Sequence, residues 1–129
     1  MSSPNENREP IQIHQAWKMP EDSWYPFEDS ATLGLAGSEG GSILRDDEHP
    51  AGARITLEKE TTVAPFAITC GIYGYMVHTR FFGLESEATS QYDEMKNALS
   101  AILEQTCGSD DKNGPTFNEK VIAFIETYP

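Results

Sequence analysis

Between Ser42 and Phe82 apolar and polar residues tend to alternate, whereas from Ser86 onward the apolar ones recur at steps of three and four. The first period is that of a half-buried strand and the second that of an amphipathic helix. "SILRDDEHPAGARITLEKE" predicts a strand, a turn at His49–Pro50–Ala51–Gly52, and a second strand. In that second strand Ile55 and Leu57 face one way, while Arg54, Thr56 and Glu58 face a wetter side. Upstream, Ile11, Ile13 and Trp17 of "IQIHQAW" alternate with Gln12, His14 and Ala16, which predicts a further short strand.

Phe66 to Phe82, "FAITCGIYGYMVHTRFF", is too long to be one straight strand. At ~3.3 Å per residue it would span about 56 Å, whereas a globule of this length is roughly 35 Å across. The segment must bend or fold back at Gly71 and Gly74, and a hairpin is the preferred form. Both of its faces are largely apolar, which predicts a central position covered on both sides.

Ala88, Tyr92, Met95, Leu99, Ile102 and Leu103 share one face of a helix, with Ser86 suited to cap its start and Gly108 to end it. "TFNE", from Thr116, has the capping-box form. The helix after it should bury Phe117, Val121, Phe124, Ile125 and Tyr128. Strands first and helices last predict one α+β domain over residues 11–129. Its antiparallel sheet has four to six strands, followed by two C-terminal helices packed on one face. "MSSPNENREP", residues 1–10, has no apolar residue after Met1 and is read as a flexible tail.

Charge narrows the choice of partners. Twenty-one acidic residues against nine basic ones leave the 129-residue chain at −12. That field repels phosphate backbones and anionic lipid, and no basic stripe overrides it. Nucleic acid and membrane are therefore excluded as partners, while a basic protein partner, or self-association, remains. Solubility alone is the plainer account of the acidity. No charged leader precedes an apolar run, no stretch approaches the ~20 apolar residues of a membrane helix, and two distant cysteines form no disulfide framework or zinc pattern. A cytoplasmic protein with reduced thiols and no cofactor is expected.

The candidate chemistry is sparse. "GLAGSEGG", Gly34 to Gly41, matches neither a dinucleotide fingerprint nor a Walker loop, and Glu39 would oppose an anion held by its amides. A flexible connection or mobile lid is favoured over a phosphate cradle. "RDDEHP" sets Asp46, Asp47, Glu48 and His49 in a row, but strand neighbours point to opposite faces. A solvated turn is favoured there over a metal site. Cys70 and His78 are the weak catalytic candidates. In a hairpin centred on Gly74 they lie directly opposite, and in one turning over Gly71–Gly74 Cys70 faces Tyr75 instead. In a single extended run they are ~26 Å apart. A small buried core residue is the plainer reading of Cys70, and a strand histidine satisfied by Thr79 or a carbonyl that of His78. Cys107 is read as an incidental thiol. Trp24, Tyr25 and Phe27, in a proline-divided stretch, predict an ordered loop packing on the sheet and a possible partner-binding patch.

"ITCGIYGYMVHTRFF" with the following "EATSQYDEMKNAL" resembles small uncharacterised bacterial proteins. In size, acidity and α+β layout the chain is similar to bacterial immunity proteins, small acidic antidotes that block a basic toxin, though it shares no motif with them. The resemblance implies a non-catalytic inhibitor or interaction protein. The competing expectation is a small-molecule binder, or a Cys/His-dependent enzyme, with its pocket under the Gly34–Gly41 loop and Cys70 and His78 on the wall.

Overall fold

The computed structural model describes residues 23–106 and 115–129. The expected tail over residues 1–10, the strand expected over Ile11–Trp17, Cys107 and Gly108 lie outside them. Five strands form one antiparallel meander in sequence order: β1 (Tyr25–Pro26), β2 (Ser42–His49), β3 (Ala53–Lys59), β4 (Phe66–Ile72) and β5 (Met76–Phe82). Two helices follow, α1 (Glu85–Thr106) and α2 (Pro115–Thr127). This is the α+β arrangement expected from the change of period.

The core lies between the helices and one face of the sheet. Ala53, Ile55 and Leu57 of β3 and Ile68, Cys70 and Ile72 of β4 point to that face and pair across it. They meet Ala88, Tyr92, Met95, Leu99, Ile102 and Leu103 of α1, and Phe117, Val121 and Phe124 of α2. All the expected stripe of α1 is buried, while Ile125 is only partly so. α1 begins two residues earlier than the capping argument placed it: the Leu84 carbonyl accepts from the Ala88 N–H, so Ser86 lies within the first turn. α2 likewise begins at Pro115, whose fixed φ and missing N–H suit a first helical position. Thr116 is then inside the helix, not ahead of it.

The long apolar segment folds back. Ile72 pairs with Met76, and the three residues between them include Gly74 at φ 72°, a conformation L side chains rarely adopt. Only β4 is central; β5 is an edge strand, with Val77 78% and Phe81 42% exposed. The expectation of a segment covered on both sides therefore holds for half of it. Its second half is packed on the helix face and largely open on the other.

Residues 27–41 cross the opposite face. They begin with a left-handed turn in which Glu28, Asp29 and Ser30 have φ of 49°, 54° and 70°. Such a conformation costs a non-glycine residue roughly 1–2 kcal/mol.

Candidate functional site

The residues of "RDDEHP" lie within β2 and its end, not in a solvated turn, and each is engaged. Alternation sends Asp47 and His49 to the helix face and Asp46 and Glu48 to the other. Asp46 is buried and accepts from Arg54 twice, Nε to Oδ1 at 2.8 Å and Nη2 to Oδ2 at 2.6 Å. Thr32 and Thr56 hydroxyls donate to the same carboxylate. Asp47 accepts from the Tyr92 hydroxyl and from Lys96, and the Tyr73 hydroxyl donates to Glu48. Burial and Asp47 together hold the Tyr92 hydroxyl well above its usual range. Among the described residues no group of three or more His, Cys, Asp or Glu side chains could hold a metal ion.

His49 is locked in one tautomer. Its Nδ1 accepts from the Ala51 N–H at 3.0 Å, so the proton sits on Nε2, 3.2 Å from the Glu104 carboxylate. The ring stands edge-on to Trp24. Burial lowers its pKa, against an opposing pull from Glu104.

Glu58 overturns the expectation of a wetter side on β3. It is fully buried, and its carboxylate accepts from the backbone N–H groups of Glu39 and Gly41. The glycine-rich loop does cradle an anion: the chain's own. A Cβ at Gly37 would lie 2.3 Å from the Glu58 Cδ, so only glycine lets the loop close over that side chain. Thr62 N–H donates to the Glu39 carbonyl and Gly37 N–H to the Gly41 carbonyl. In place of a mobile lid, the loop is a wall fixed by hydrogen bonds on both sides.

Between that wall and the sheet lies a cavity of about 740 Å³. Ala36, Gly37 and Ser38 of the loop line it together with Ile43, Thr56, Thr69, Cys70, Gly71 and Val77 of the sheet. Most of its polar side chains already have partners outside it. Arg54 is paired with Asp46 and covers the Phe27 ring at 3.7 Å, and the Thr69 and Thr79 hydroxyls bond each other. Tyr75, also at the cavity, packs edge-on against Phe117, and its buried hydroxyl has no hydrogen-bond partner.

Cys70 and His78 are brought together in the register of the Gly74-centred hairpin, as direct cross-strand partners. They do not form a reactive pair. Both point to the helix face, Cys70 is 1% exposed, and burial pushes its thiol up to about 12, with Arg80 opposing. The His78 Nε2–H donates to the Tyr128 carbonyl at the end of α2, not to a carboxylate. A nucleophilic thiolate needs a depressed pKa and access, and this thiol has neither.

The three loop aromatics part company. Trp24 is in the core, its indole N–H donating to Ser100 at 2.6 Å, so it cannot front a patch. Phe27 is half-buried under Arg54, and Tyr25 alone is exposed. The residues that build the site, Asp46 and Glu58, were not singled out for it from the sequence. No local pattern marks them: Asp46 is engaged by Thr32 and Glu58 by Gly41, each from the far side of a turn or loop.

No helix of the described residues is long and apolar enough to cross a membrane. Compared with known proteins, the chain matches no family model, no curated protein and no solved structure.

Proposed function

We propose that this is a non-catalytic binding protein that takes up a small, uncharged, largely apolar molecule in the cavity beneath Ala36–Ser38. The observation that carries the reading is a largely apolar cavity of about 740 Å³ whose Arg54 and Thr69 are already engaged, by Asp46 and Thr79. Drug-sized ligands occupy sites of roughly 300–1,000 Å³ lined mainly by apolar groups. Arg54 has no spare charge to offer an anion, and a net charge of −12 repels one. The bare backbone at Gly71 and the side chains of Ala36, Ile43 and Val77 suit a flat ring.

The test is NMR titration of the full chain with indole and with 2-naphthol. Amide shifts should cluster at residues 36–38, 71 and 77, and Ala36→Trp, which fills the exposed wall, should abolish them. Shifts scattered over the helices, or none at all, would sink the reading.

A second reading keeps the non-catalytic character and takes a basic protein as partner, as an immunity-like inhibitor would. Exposed carboxylates at Glu28, Asp29, Glu60, Glu85 and Glu87 favour it. A partner retained on the immobilised protein at low salt and released at high salt would support it; one that ignores salt would not.

A further inference from the structure

The two edges of the sheet differ. β1 is two residues long and contains Pro26, which has no N–H to offer a neighbour. β5 has seven residues, pairs with β4 without a register shift, and carries no proline and no lysine. Among the described residues no strand pairs with its outer side. Natural sheets blunt their edges with short strands, prolines, lysines or bulges, and a long apolar edge is a template for another strand.

We propose that β5 pairs antiparallel with β5 of a second copy about a two-fold axis at Thr79, placing Val77 of each copy opposite Phe81 of the other at the rim of the cavity. The strand is self-complementary in this register. On the open face, Val77, Thr79 and Phe81 meet Phe81, Thr79 and Val77, so apolar groups face apolar groups. On the helix face, Arg80 and His78 are already held within their own copy, by Gln91 and by the Tyr128 carbonyl.

Charge selects the occupant. Two copies at −12 repel each other, but β5 has no acidic residue, so the seam brings no carboxylates together. A basic partner would be drawn to the acidic surface and gains nothing at a strand bearing Arg80. An axis perpendicular to the sheet keeps both open faces on one side. Phe81 of the second copy then stands beside Val77, which lines the cavity, so each site receives a residue from the other chain. The inference does not depend on what the cavity binds.

The experiment is size-exclusion chromatography with light scattering over a concentration series of the full chain. It is run at about 0.1 M salt, where the Debye length is about 10 Å, and at about 1 M, where it is about 3 Å. A dimer that tightens with salt is expected, the opposite of binding to a basic partner. Val77→Lys and Phe81→Glu should each weaken it at least about tenfold, with circular dichroism unchanged. The double variant should restore it, because the introduced lysine and glutamate face each other twice across the axis. A monomer at every concentration overturns the proposal. A dimer indifferent to both single substitutions overturns the seam, and a double variant as weak as the singles overturns the register.

Discussion

The two faces of this sheet are built from the same alternating strands and closed by different means. The helix face is sealed by apolar contact: Ile55, Leu57, Ile68 and Ile72 against Tyr92, Met95, Leu99 and Phe117. The other face is crossed by residues 27–41, held by two buried carboxylates, Asp46 and Glu58, through directed hydrogen bonds. Apolar packing fills space wherever side chains can interdigitate. Hydrogen bonds hold a segment at points and leave room between them. That is why the cavity lies on the carboxylate-anchored face. Cys70 contributes to its lining, as expected from the sequence, but the Cys70 and His78 side chains point to the sealed face, and His78 is not at the cavity.

Substitutions can break this contrast. The largest effect belongs to the sealed face, where Ile55→Ala removes a fully buried side chain and should cost about 2–5 kcal/mol in denaturant unfolding. A cost below about 1 kcal/mol would mean that the core is not as close-packed as the contacts imply. Next comes the anchored face. Glu58→Gln puts an amide where two N–H groups converge and should cost about 1–3 kcal/mol. Amide exchange should speed up selectively over residues 37–41, and uniform acceleration would point to global loosening instead.

His49 gives a smaller, pH-dependent effect. Its folded pKa lies below the unfolded value of 6.5, so the unfolded chain takes up a proton first as the pH falls. The stability tied to the neutral ring is complete above 6.5 and is lost as pH falls through the folded value. Unfolding midpoints between about pH 7 and about pH 5 should drop less steeply in His49→Gln than in the parent. Equal slopes would show that the carboxylates alone set the dependence. The smallest effect is a gain: Glu28→Gly relieves a left-handed residue and should stabilise by about 1 kcal/mol in the same unfolding assay.

How much of this was legible follows from range. The change of period placed the meander and both helices, because each signal lies within a dozen neighbouring residues. Chain length against globule diameter was enough to fold Phe66–Phe82 back, and the glycines located the turn. The site was not legible, because its anchors join residues far apart. Glu58 reaches back to Gly41 and Asp46 to Thr32, so a strand face that reads as solvent-facing is covered by a loop with little apolar signal. The aromatics Trp24, Tyr25 and Phe27 misled for a related reason. Their spacing has no period, and partners at Ser100, Glu48 and Arg54 decide where each one goes.

The contrast between an open loop face and a sealed helix face underlies the proposed function. Alkylation of the native full chain from about pH 5 to about pH 9, with each cysteine followed separately by mass spectrometry, tests it most directly. Cys70 should stay unmodified across that range and react only when denaturant unfolds the protein, because its thiol is buried and pushed up to about 12. Rapid native modification of Cys70 near pH 6 would contradict the account, returning the candidate site to Cys70 and His78.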